Sequence, residues 1–261
     1  MHQEATTLQD LPGSAVDIDV GVDGAWVAMC KRDAELVVAT STGQFPAPDN
    51  LRFPQIRWMG NGDILVVDTR TTRGSQNAFV LTPSGIEKVR FCVGDGVADV
   101  LVVGESVVVT YFDEGIFGGV APSEEGLAVF ASDGRFEFGY QSGVKDPVDI
   151  ADCYCVCPAG PDEVCFSPYT EFPLVRLNLK TRQQQVHKLP RHLAGSSALA
   201  TDGIAFYIYA PYDARNSIFR WRPGEAAVEI GNHVGPLRGH RRAAFLSAGT
   251  AGYAIVNAGP A

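Results

Sequence analysis

VADVLVVGESVVVTYFDEGIFGGVAPSEEGLAVFASDGRFEFGYQSG, residues 97–143, reads as four strands in succession. Two nearly unbroken apolar runs, VADVLVV and SVVVTYF, are separated only by Gly104-Glu105, the composition of a strand folded back on its neighbour. After a long loop come GLAVFASDG and RFEFGYQSG, with Ser132-Asp133-Gly134 as the hairpin signal between them. The first two runs are apolar on both faces, as a sheet buried on both sides requires, whereas the last run carries Arg and Glu. The same phrase recurs along the chain. SAVDIDV, AWVAMC and ELVVATSTG precede it, followed by a weak stretch at Gln44 to Ala47; then come IRWMGNG, ILVVDTR, NAFVLTPSG and IEKVRFCVG. After it come DIADCYCVC, EVCFSPY, PLVRLNLKT and QQVHKLP, then SSALATDG, IAFYIYA, SIFRWRPGE and AAVEIGN, and last RAAFLSAG with GYAIVNA.

The turn between the first two strands reads Asp23-Gly24, Asn61-Gly62, Gly104-Glu105, Asp162-Glu163, Asp202-Gly203 and, more weakly, Ala251-Gly252. From Gly24 to Gly252 is 228 residues over five steps, a mean period of about 46. That period and the four-strand unit resemble the six-bladed β-propellers, and the resemblance covers essentially the whole chain, residues 1–261, as one all-β domain. A five-bladed ring and a two-sheet sandwich are the alternatives, and a sandwich would show no fixed period. The last repeat offers only two strands, and a closed ring cannot leave that edge open. Met1 to Asp10 is therefore expected to cross back as an outer strand of the sixth blade, a closure that the resemblance also implies. No functional subfamily fits: Trp26, Trp58 and Trp221 are followed by Val27, Met59 and Arg222 rather than Asp, and Gly118-Gly119 is a single paired glycine. A lactonase-type propeller would imply a metal cluster of Glu, Asn, Asn and Asp that cannot be placed here.

The composition narrows the function classes. A net charge of −9 with a pI near 5.0 argues against general nucleic-acid binding. The start MHQEATTLQDLPG has neither the basic segment nor the apolar run of a secretion signal, and no stretch has the length of a membrane span, so a cytoplasmic protein is expected. Four of the six cysteines crowd one segment, which fits reduced thiols better than a disulfide framework. CYCVC would place Cys153, Cys155 and Cys157 on one face of a strand with Cys165 opposite, too widely spaced for a tetrahedral metal, so they read as packing residues.

In a propeller the loops from second to third strand gather on one face. Here they are polar and often long, and Arg70, Arg73, Tyr111, Asp113, Glu114, Tyr212, Asp213 and Arg215, with Tyr169 and Glu171, would meet there. Tyr and Arg are the residues that dominate interface energetics, so this face is expected to bind a protein or peptide partner; the alternative is ordinary solvated loops, with Tyr111 and Tyr212 packed between blades. Within Tyr111 to Gly126, the apolar Phe112, Ile116 and Phe117 would form a lid or a contact, or else pack on the next blade. Asp17, Asp99 and Asp149 begin three inner strands in one register. They could hold a hard cation such as calcium at the channel mouth, the basis of a hydrolase-like alternative, or they could fix the turns into the blades. HVGPLRGHRR, from His233 to Arg242, is the only basic cluster and is expected to precede an inner strand as a solvated loop or an anion site. No catalytic motif is present, no cofactor is implied beyond that calcium, and a small-molecule ligand stays admissible.

Overall fold

The structure, a computed structural model, describes residues 1–259. β1 (His2–Thr7) opens the chain, and the first blade follows as β2 (Ser14–Val20), β3 (Trp26–Arg32), β4 (Glu35–Thr40) and β5 (Gly43–Pro46). Blade two is β6 (Pro54–Trp58), β7 (Ile64–Asp68), β8 (Ala78–Leu81) and β9 (Glu87–Phe91), and blade three is β10 (Val97–Val103), β11 (Ser106–Tyr111), β12 (Leu127–Ala131) and β13 (Phe136–Gly139). Blade four comprises β14 (Val156–Gly160), β15 (Glu163–Phe166), β16 (Pro173–Asn178) and β17 (Gln184–Lys188). Blade five comprises β18 (Ala198–Thr201), β19 (Phe206–Tyr209), β20 (Ser217–Trp221) and β21 (Val228–Asn232). The sixth sheet runs β22 (Arg238–Gly239), β23 (Ala244–Gly249), β24 (Gly252–Asn257) and then β1. Two single-turn helices, α1 (Asp113–Ile116) and α2 (Tyr140–Gly143), lie in loops.

Six four-stranded antiparallel sheets make a six-bladed propeller. Inner strands touch their neighbours around the ring, β2 to β6, β6 to β10, and onward through β14, β18 and β22, while β23 returns to β2. The apolar core lies between blades. One layer joins Val67 and Val80 of blade two to Val108 and Val129 of blade three, and reaches Val164 and Val175 of blade four. Another joins Cys157 and Cys165 of blade four to Leu199 and Ile208 of blade five. The near-continuous Val, Ile and Leu of the inner and second strands follow from this, since each sheet is covered on both faces.

The N-terminal segment does close the ring. β1 pairs antiparallel with β24 in a register from His2 opposite Asn257 to Thr7 opposite Gly252. Every residue of β1 is exposed, so backbone pairing rather than apolar burial holds it, which explains its poor alternation.

Two expectations about strand placement are corrected. RAAFLSAG and GYAIVNA are the second and third strands of blade six, so Ala251-Gly252 joins those strands and is not an inner-strand turn. The inner strand is the two-residue β22, inside the basic cluster that was expected to precede it. It packs closely on its neighbours: a Cβ on Gly239 would lie 2.4 Å from the Leu199 carbonyl oxygen and 2.5 Å from Cys157 Cβ. CYCVC is likewise not one strand, because β14 begins at Val156 and Cys153 and Cys155 precede it. All six cysteines are free thiols. Burial pushes the Cys155 thiol up to about 12, as for a neutral thiol packed in an apolar layer.

Candidate functional site

The alternation of strand direction gives the ring two faces. One carries the second-to-third-strand loops and the connections between blades; the other carries the first-to-second-strand turns. Between them runs the channel, and the inner strands fill its wall with complementary charge. Arg57, on β6 and only 5% exposed, reaches Asp17 of β2 at 2.6 Å and Asp99 of β10 at 2.8 Å. Arg238, on β22, reaches Asp17 at 3.0 Å and Asp19 at 2.7 Å. Each Arg57 nitrogen has a partner, because Nε also donates to the Val100 carbonyl and Nη2 to Gln55 Oε1. Burial works against the Asp17 carboxylate, but Arg57, Arg238 and the Ile56 amide outweigh it and hold its pKa below the ordinary value. Burial pushes Asp99 the other way, above its ordinary range, against the pull of Arg57. Four blades are thus tied together across the axis.

The network engages two of the three carboxylates expected to hold calcium. Asp17 and Asp99 meet guanidinium groups where a cation was expected, and Asp149 lies exposed in the segment between α2 and β14, outside any strand. Among the described residues no cluster of three or more His, Cys, Asp or Glu could hold a metal.

On the face of the second-to-third loops, the expected residues separate into three kinds. Tyr111 is fully buried and its hydroxyl donates to the Val93 carbonyl, so it is a core residue and not a contact for a partner. Arg70 is committed within the protein, at 2.6 Å from Glu114 and 3.1 Å from Asp95, with its guanidinium over the Phe112 ring. Arg73, Asp113, Glu114, Tyr212, Asp213 and Arg215 are exposed. The long loop is no lid across the channel: Ile116 is buried in the layer between blades, and Gly115 packs on Asp95 and Gly96. Phe117 alone among its apolar residues stands 75% exposed.

The structure adds neighbours that strand reading had hidden. Tyr169, Phe172 and Tyr212 form an edge-to-face row, with ring centroids 5.4 and 5.5 Å apart, that crosses from the blade-four loop to the blade-five loop. Tyr154, 48% exposed, stands beside it because the segment before β14 is a connection on this face. A backbone bridge between Asp152 and Tyr169 pins the two segments, through amides donating at 2.8 and 3.0 Å. Asp152 is 5% exposed, and its Oδ1 has no partner among the described residues. Burial pushes its carboxyl above the ordinary range, and the Asp152 carboxylate in turn pushes the Tyr154 phenol up. Asp113 completes an acidic margin next to the aromatic row. The result is an amphipathic patch: aromatic rings with the exposed Asp113 at the margin and Asp152 buried beneath.

No protein-family model and no curated protein matches the chain. Among solved structures, a catalytically inactive virginiamycin B lyase from Staphylococcus aureus with quinupristin superposes with a TM-score of 0.57 at 11% identity, over 97% of this chain and 98% of that one. YCF48 bound to D1 peptide gives 0.54 at 10% identity, over 99% and 97%. U3-55K gives 0.59 at 11% identity, over 94% and 77%. The likeness is one of fold. It spans propellers that do different things, so the site must be argued from its own residues.

Proposed function

We propose that this propeller is a rigid platform for a protein or peptide partner, and that the partner docks a basic segment on the aromatic patch of blades four and five. The observation that carries this reading is the row of Tyr169, Phe172 and Tyr212, 41% exposed at Tyr169 and 58% at Tyr212, anchored at Tyr169 by its backbone bridge to Asp152, with the exposed carboxylate of Asp113 beside neighbouring Tyr154. Aromatic faces attract Arg and Lys side chains, and carboxylates beside them add directed acceptors. Rigid tyrosines also lose little conformational freedom on binding. The peptide on YCF48 supports a peptide as the kind of ligand this fold accepts. The hydrolase alternative rests on a cation at Asp17, Asp99 and Asp149, and the first two of these carboxylates are engaged by arginines.

Selection of displayed random peptides against the folded protein tests the reading. Enriched peptides should carry Arg or Lys, and Tyr169→Ala with Tyr212→Ala should weaken them by at least about tenfold, the loss typical of an aromatic hot-spot residue. Peptides without basic residues, or peptides that bind the double variant unchanged, would remove this face from consideration.

A further inference from the structure

The other mouth of the channel holds a second feature, unconnected with the aromatic patch. A cavity of about 700 Å³ opens among the first-to-second-strand turns of blades one, two, three, four and six. That volume suits a small organic ligand. Its wall includes Trp58, Leu101, Val102 and Pro161, with Arg57, Arg238 and Arg241 among the polar groups. Trp58 is fixed at both ends, its indole Nε1 donating to the Ala25 carbonyl at 3.1 Å and its backbone amide to Asp19 at 2.8 Å. The apolar wall is therefore preformed.

The three arginines differ in what they have left to give. Arg57 and Arg238 are engaged by Asp17, Asp19 and Asp99. Arg241 is half-buried and donates through Nη1 to the Gly21 carbonyl at 3.1 Å, and among the described residues it has no carboxylate partner. Its remaining N–H groups form the uncommitted part of a planar fork that matches carboxylate and phosphate oxygens. Next to it in sequence, His240 has a buried Nε2 without a hydrogen-bond partner among the described residues. A cavity with apolar walls and a guanidinium with uncommitted N–H donors is chemically incomplete in the direction of an anion.

We propose that this cavity binds a small organic anion, its aromatic or aliphatic body against Trp58, Leu101 and Val102 and its carboxylate or phosphate on Arg241. The site is independent of the peptide patch, since it lies on the opposite face. It makes the propeller a protein with two binding surfaces, one for a macromolecule and one for a metabolite-sized ligand.

Titration with the fluorescent anion anilinonaphthalene sulfonate, beside the uncharged phenylnaphthylamine, tests the proposal. One equivalent of the anionic dye should bind, and more tightly than the neutral one. Arg241→Gln should weaken the anion about tenfold, the worth of a charge-assisted hydrogen bond, and leave the neutral dye unchanged. Leu101→Glu should remove both dyes, whereas Tyr212→Ser should affect neither. Competition by phenylpropionate against phenyl phosphate then tells a carboxylate ligand from a phosphate one. Thermal melts establish that each variant is folded, and Arg241→Lys, which keeps the charge and loses the fork, serves if Arg241→Gln is not; it should give a smaller loss. Equal affinity for the two dyes, an unchanged anion affinity in the folded arginine variants, or binding that survives Leu101→Glu would each overturn the proposal.

Discussion

Arg57 is the residue on which the channel depends. Removing one member of a buried ion pair leaves the other charged and unpaired, so Arg57→Met should destabilise the protein by about 3–5 kcal/mol, read from denaturant melts. Adding Asp17→Asn and Asp99→Asn should restore part of that loss, because the cost lies in stranded carboxylates rather than in missing bulk. Equal stability of the single and triple variants would show that the network carries no such coupling. His240 gives the pH dependence. Burial lowers its pKa from 6.5 to about 4, against the pull of Asp19 and with the push of Arg241 and Arg238, so the native ring is neutral where the unfolded one is protonated. Its contribution is therefore complete above pH 6.5 and is lost as the pH falls from there towards 4. His233, also lowered by burial, acts in the same sense. The melting temperature of His240→Gln should fall less steeply than that of the native protein between those pH values; parallel curves would contradict the assignment.

At the scale of the element, β1 is the closing strand, and it approaches β24 closely at Gly252. A Cβ there would lie 2.1 Å from the Thr6 carbonyl oxygen and 3.0 Å from Thr7 Cα, both backbone atoms that cannot swing aside. Gly252→Ala should cost about 1–3 kcal/mol, the usual penalty for overpacking, and should speed amide exchange selectively along β1 and β24. Uniform acceleration around the ring would mean that the closure is not the weak seam. Blade six departs from the apolar pattern of the other five. Its inner strand is two residues long and carries Arg, and an apolar-run criterion passes over it in favour of AFLSAG. A signal was nonetheless present: inner strands one, two and three carry Asp17, Arg57 and Asp99, so an arginine in the corresponding place of blade six is the expected complement. Tyr154 escapes a composition reading for the opposite reason, since CYCVC has strand composition throughout but Cys153, Tyr154 and Cys155 form the connection before β14, with the cysteines filling the layers between blades.

Across the whole molecule the two faces present different chemistries on one frame. The inter-blade layers and the axial ion network fix the loop positions, and a fixed loop can hold Tyr169, Phe172 and Tyr212 in contact without help from a partner. The opposite face gathers turns from five blades around a cavity that none of them forms alone. Of the residues expected on the contact face, Tyr212, Asp113, Glu114, Asp213 and Arg215 are exposed, whereas Tyr111 turns inward, its ring filling the space between blades and its hydroxyl donating to the Val93 carbonyl.

The amino-acid sequence alone determined the four-strand repeat, the number of blades and the return of the N-terminus, because periodicity, turn chemistry and the need to cover an open edge are local or counting arguments. Only the tertiary structure decided which charges meet. Asp17 pairs with Arg57 and Arg238 across 40 and 221 positions of chain, and no local pattern carries that information. Closing the ring brought guanidinium groups to carboxylates that could otherwise have held a cation, and in doing so left Arg241 free at the cavity and the aromatic row free on the other face.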